Sequence, residues 1–276
     1  MLKKILLIFC FSVFAAAADL VVVSIQPLAS YIKEISGNSV KVEVMVQKGK
    51  DAHTYEPSVS QMKKLARAKA FFAIGIDYEE KWIPKFSSVN KKMKIFHIDK
   101  DVKKLEGDED YDGHKHESDP HIWLDPVLLK TQTTNIANAL GELYPDKKMQ
   151  FFLNLDKIHA RLDALHAELT RISENVKRKT FIVMHPSWGY FAERYKLIQL
   201  GIEQEGKEIK PADLIKIGRV STSANVGVVF STPGFTKNGL NEIAKATNAK
   251  VTTADHMSEN VESELLNVMK ALENAN

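Results

Sequence analysis

Residues 147–176 read KKMQFFLNLDKIHARLDALHAELTRISENV, and in them Leu155, Ile158, Leu162, Leu165, Leu169, Ile172 and Val176 recur at alternating steps of three and four, with no Gly or Pro between them. That spacing is the 3.6-residue period of an amphipathic helix. About 30 residues at a rise of 1.5 Å span about 45 Å, longer than an ordinary domain helix and long enough to join two lobes. Three heptads also suit a coiled-coil dimer, but sequence of a different rhythm closes the stretch on both sides. A helix packed between lobes fits that better than a dimer seam.

On the amino-terminal side, Leu20–Ile25, Val40–Val46, Ala70–Ile74 and Lys94–Ile98 read as strands, with helices after Leu28, Ser58 and Tyr78. Ser58 followed by Gln61 has the form of a capping box. Asp125 before Pro126 supplies an N-cap and a favourable first residue for a helix over Val127–Leu143. On the carboxyl side the alternation resumes: Thr180–Met184, Leu197–Leu200, Val226–Phe230 and Lys250–Thr253 read as strands, with helices near Gly189, Ala212, Thr236 and Val261. Repeated strand-then-helix order predicts parallel sheets. The expected fold is therefore α/β: two lobes, residues 19–144 and 179–276, each a parallel sheet flanked by helices, joined by one long rigid helix in residues 145–178.

The chain opens with Lys3 and Lys4, an apolar run from Ile5 to Phe14, and Ala15 to Ala18, the pattern of a secretory signal peptide over residues 1–18 with cleavage before Asp19. The run is too short to span a bilayer comfortably, so a soluble exported protein is expected. The single cysteine, Cys10, leaves with that peptide, and Phe9 before it argues against lipid attachment. Disulfides and thiolate metal sites are thereby excluded from the exported chain. Loss of two lysines takes the formal charge from +3 to +1, which leaves no basic field for nucleic acid. The segment Glu106–Asp119 is acidic, carries His114 and His116, and has no aliphatic residue to anchor it, so it reads as a mobile loop, either simply solvated or holding a second, weaker metal ion through the two histidines with Asp110, Asp112 or Glu117.

Ligands in open α/β sheets bind beyond the carboxyl ends of the strands. His53 follows the strand ending at Val46, His185 the strand ending at Met184, and Asp255 the strand ending at Thr253; His121 stands in DPHIWLDP (residues 119–126), on the approach to a helix. Three imidazoles and a carboxylate, divided between two lobes, suit a tetrahedral Zn²⁺. Pro186 holds His185 in an extended backbone. His256 adjoins Asp255 and is the alternative at that position. His159 and His166, seven apart on the long helix, are two turns from one another and read as surface residues, and His97 as structural.

Gly49-Lys50-Asp51-Ala52-His53-Thr54-Tyr55-Glu56-Pro57, the stretch Asp119–Pro126, and His185-Pro186-Ser187-Trp188-Gly189-Tyr190-Phe191 with Arg194-Tyr195 together resemble the ZnuA-type, zinc-binding branch of the metal-receptor family of ABC transporters. The resemblance runs along essentially the whole exported chain. It implies a periplasmic, monomeric solute-binding protein that holds Zn²⁺ as transported ligand through His53, His121, His185 and a carboxylate at Asp255, and hands it to an inner-membrane ABC permease. Histidine rather than glutamate at position 185 favours zinc over manganese. Where the family often has Asp-Pro-Leu this chain has Asp255-His256-Met257, so His256, Glu203, Glu205 or water remain open as the fourth ligand. The rival class is a zinc hydrolase, but H-E-x-x-H is absent and no general base stands beside a ligand, so no enzyme is expected.

Overall fold

The computed structural model describes residues 18–47, 49–50, 52, 54–106, 118–202, 224–233 and 240–275. The signal-peptide reading, His114 and His116, and the helix expected near Ala212 fall outside them.

Four strands, β1 (Leu20–Val23), β2 (Lys41–Val44), β3 (Ala70–Ala73) and β4 (Lys94–His97), form a parallel sheet in the order β2-β1-β3-β4. A second parallel sheet takes β5 (Thr180–Val183), β6 (Ile198–Gly201), β7 (Val226–Ser231) and β8 (Lys250–Thr253) in the order β6-β5-β7-β8. The central strands β3, β5 and β7 are buried along their whole length, as expected where helices cover both faces of a parallel sheet. The β2 strand is shorter than its apolar run, yet Met45 and Val46 still donate to Val23 and Ser24 at 2.9 Å, so the ladder outlasts the regular strand.

The first helix, α1 (Gln26–Ser36), begins ahead of Leu28 because Pro27 suits an opening turn, and it closes on Gly37 in the left-handed conformation at φ 59°. Helix α2 (Val59–Leu65) carries the full reciprocal capping box of Ser58 and Gln61. Helices α3 (Asp77–Val89) and α4 (Pro126–Leu143) complete the first lobe, and Asp125 caps α4 by accepting from Val127 and Leu128. In the second lobe lie α6 (Gly189–Arg194), α7 (Leu240–Thr247) and α8 (Val261–Glu273).

Between the lobes runs α5 (Lys148–Asn175), 28 residues long. It buries Phe151, Leu155, Ile158, Leu162, Leu169 and Ile172, packing on α4 toward one lobe and on α8 toward the other. Each such side chain contributes about 1.5–3 kcal/mol through burial. One continuous apolar core therefore extends from β1 through α5 to α8, with a smaller cluster around Ile182, Val229 and Ile243 in the second lobe. The linker helix therefore contributes one face to the core and leaves the other exposed. Among the described residues no helix is long and apolar enough to cross a membrane.

Candidate metal centre

The segment before α4 is bent by a 3-10 turn at Ile122–Leu124, with His121 as its N-cap. Asp119 shapes that bend: its Oδ1 accepts from the His121 backbone N–H and pairs with His121 Nδ1, both at 2.8 Å. The carboxylate fixes the ring tautomer, with the proton on Nδ1 and the lone pair of Nε2 directed away. His121 is 4% exposed.

Across the lobe junction, His185 follows β5, and its carbonyl accepts from the Ser187 backbone N–H at 2.8 Å, a tight turn closed around Pro186. His185 Nε2 lies 3.1 Å from His121 Nε2. Two nitrogens bound to one tetrahedral zinc at about 2.0–2.1 Å stand about 3.3 Å apart, so this separation is close to that of two ligands on one ion.

A third imidazole joins them. The His256 ring centre lies 5.9 Å from that of His121 and 5.4 Å from that of His185, and the residue is 7% exposed. Its carbonyl accepts from Trp123 Nε1 at 2.6 Å, a bond from the first lobe to the second. Asp255 is half-buried beside it; its Oδ1 accepts from the Met257 N–H at 3.0 Å, and its own N–H donates to Glu264 Oε1 at 2.8 Å. Burial, and secondarily the charge of Asp255, raises the Glu264 carboxyl above its usual range against the opposing backbone hydrogen bond. His53, Glu203 and Glu205 lie outside the described residues, and among the described residues no three His, Cys, Asp or Glu side chains are assembled closely enough to hold an ion by themselves.

The structure thus brings together His121, His185 and, unlike the preferred reading of the sequence, the ring of His256. The groups that carry these imidazoles, Asp119 and Trp123, stood in the quoted motif without a role. The helix histidines differ from the surface reading. His159 is half-buried with Nε2 3.2 Å from both the Lys130 carbonyl and Thr133 Oγ1, and its pKa is lowered, chiefly by burial. His166 Nδ1 meets Tyr195 Oη at 3.1 Å. Both serve helix packing.

Two parallel α/β lobes on a shared helix, with His121 of the first lobe meeting His185 and His256 of the second at the junction, define a two-lobe binding protein. The family model for the periplasmic component A of the zinc-uptake complex matches residues 21–275, and the chain belongs to that family. It is 31% identical over 202 residues to the zinc-binding lipoprotein AdcA of Streptococcus pneumoniae, a match covering 70% of this chain but 40% of that protein. The chain therefore spans less than half the length of this relative. It is 26% identical over 225 residues to the high-affinity zinc uptake system protein ZnuA of Bacillus subtilis, covering 76% of this chain and 69% of the other. A crystal structure of ZnuA superposes with a TM-score of 0.86 at 35% identity, over 94% of this chain and 99% of that one. The laminin-binding protein Lmb of Streptococcus agalactiae reaches 0.80 at 28% identity, over 92% and 99%.

Proposed function

We propose that this chain is a periplasmic solute-binding protein that captures Zn²⁺ as its substrate between two lobes and delivers it to an inner-membrane ABC permease for zinc uptake. The observation that carries the reading is the pair of Nε2 atoms 3.1 Å apart, one from each lobe. Family membership and the zinc named in its relatives support it. The working units are residues 19–144, 145–178 and 179–276, behind an export signal over residues 1–18. The protein acts as a monomer and by binding, not by catalysis.

The proposed ligands are His53, His121, His185 and the Asp255 carboxylate. His256 is the alternative fourth group, and its ring position beside His121 and His185 favours it more than the sequence alone did. His114 and His116 would offer a weaker second site for capture.

Native mass spectrometry on protein purified without chelator or added metal tests this. One bound zinc per chain is expected, lost in His121→Ala and His185→Ala. Asp255→Ala and His256→Ala compared side by side identify the fourth ligand, since only the true one lowers zinc occupancy. Wild-type protein that takes up manganese in preference to zinc, or neither, overturns the reading.

A further inference from the structure

From Asp119 to Asp125, every second residue touches the opposite lobe. The Asp119 carbonyl accepts from Tyr190 Oη at 2.7 Å, His121 meets His185, Trp123 donates to the His256 carbonyl, and Asp125 pairs with Arg194. Between them, Ile122 and Leu124 are buried, and the Ile122 carbonyl accepts from Gln132 Nε2 of α4. The segment therefore stands on its own lobe through alternate residues and faces the other lobe through the rest.

The last of these contacts is unlike an ordinary helix cap. Asp125 Oδ1 accepts from the Val127 and Leu128 N–H groups at 2.7 and 3.3 Å, which completes the cap of α4. A serine or asparagine would do as much. The remaining oxygen, Oδ2, receives Arg194 Nε at 2.8 Å and Nη2 at 2.7 Å, with the carboxylate side chain 2% exposed. A charge that deep is tolerated only when paired, and the cap alone does not call for it. Asp125 lies four residues beyond His121 across one 3-10 turn, and Arg194 closes the short helix that follows His185. The two histidines and the ion pair bridge the same two segments and form the corners of one frame.

We propose that Asp125 and Arg194 are a positioning pair, which holds the segments of His121 and His185 at ligand spacing and so slows the release of zinc. This rests on the zinc reading of the site. The pair touches no ligand; it acts through the backbone that carries them.

The test uses the full chain: Asp125→Asn, which keeps the cap and removes the charge, Arg194→Met, the double variant, and Arg194→Lys. Zinc release into excess chelator is followed by stopped flow well below the melting temperature. Each single variant is expected to release zinc about tenfold faster, the double no faster than either single, and Arg194→Lys to stay within about threefold of wild type. Release within twofold of wild type in both singles, or effects that multiply in the double variant, overturns the proposal even if melting temperatures fall. In parallel, spin labels at exposed Ser88→Cys and Lys245→Cys, in a Cys10→Ser background, report interlobe distance without metal. The distribution should broaden in Asp125→Asn and Arg194→Met, and an unchanged one overturns the positioning role. Should wild-type protein retain no zinc, the zinc reading fails, while the distances still decide whether the pair sets the lobes.

Discussion

At the carboxyl ends of β1 and β3, where the first sheet reverses its direction of winding, Ser24 Oγ and the N–H groups of Ile74 and Gly75 all donate to the carboxylate of Glu79. At the matching point of the second sheet, beyond β5, stands His185, which reaches across to His121. Such reversal points are where open α/β sheets bind ligands. One lobe therefore spends its crevice on a side chain of its own, and the other leaves it to His185, the proposed zinc ligand that faces the opposite lobe. Gly75 makes the first arrangement feasible: it sits at φ 79°, and a Cβ there would fall 2.3 Å from Asp99 and Lys104. With its crevice filled, the first lobe presents His121 from the segment before α4 instead, held by Asp119. The same topology yields a hydrogen-bonded knot on one side and, on the other, an imidazole that reaches across the junction.

The contrast breaks most visibly if zinc fails to stabilise the protein through the second crevice. An ion bound only by the assembled junction stabilises the folded chain by about 4 kcal/mol at a thousandfold excess over Kd. For a chain of this size that is a rise in melting temperature of roughly 8–16 °C. His185→Ala should abolish the rise and leave the zinc-free melting temperature nearly unchanged, because His185 is half-buried at the junction and not part of the core. Glu79→Gln should keep most of the rise. Differential scanning calorimetry with and without zinc reads both, and loss of the zinc effect in Glu79→Gln would mean the first crevice also serves the metal.

The second prediction sharpens the comparison from the other side. Burial, with a smaller contribution from the charge of Asp99, pushes the Glu79 carboxyl up from 4.5 to about 7 against the lowering effect of the Ser24, Ile74 and Gly75 hydrogen bonds. The folded protein therefore holds this proton more tightly than the unfolded chain. Its contribution to stability is fully present below about pH 4.5 and is lost as pH rises through about 7. At 1.36 kcal/mol per unit the difference is about 3 kcal/mol. Urea unfolding of zinc-free protein at several pH values, taken as wild type minus Glu79→Gln, isolates the component from the histidines. A difference that stays constant between pH 4.5 and 7 removes Glu79 as a titrating group.

These two crevices were not equally legible. The place of His185 beyond an apolar strand, with Pro186 behind it, is a local signal that the sequence carries. Glu79, in the acidic first turn of α3, looks like any solvated helix-start carboxylate, and only the return of β1 alongside β3 buries it. The long helix, the eight strands and both caps were readable because periodicity and capping are properties of neighbouring residues. Trp123 to His256 and Asp125 to Arg194 join residues 133 and 69 positions apart, and no local pattern announces such bonds. Alternation did leave one trace: residues 119, 121, 123 and 125 are polar or aromatic while 122 and 124 are aliphatic, the two-residue rhythm of a segment with two faces. The choice between Asp255 and His256 stays open in the sequence for a related reason, since which of two adjacent side chains faces a junction depends on the turn between them.

The smallest expected effect concerns the outer edge of the same junction. Arg161 of α5 donates Nη1 and Nη2 to Glu34 of α1 at 2.6 and 2.9 Å, and Nη2 and Nε to Glu262 of α8 at 3.1 and 3.3 Å. Like Asp125–Arg194 it ties one lobe to the other, and its two carboxylate partners hold the guanidinium well above its usual pKa. But its side chain is 46% exposed and those of its partners 41% and 23%, so water and salt share the charge. Exposed pairs are worth about 0–1 kcal/mol. Arg161→Met should therefore lower stability by no more than about 1 kcal/mol in 0.1 M salt. In 1 M salt, where the Debye length contracts from about 10 to about 3 Å, the loss should shrink further. Zinc release should remain at the wild-type rate, since a contact shared with water does not hold the two lobes at a fixed spacing. Urea unfolding at the two salt concentrations and stopped-flow release measure all of this on one preparation. A loss above about 2 kcal/mol that persists in 1 M salt would show the outer triad to be as dry as the inner pair. Faster zinc release in Arg161→Met would show that lobe alignment is set along the whole junction, in place of a buried frame beside the metal.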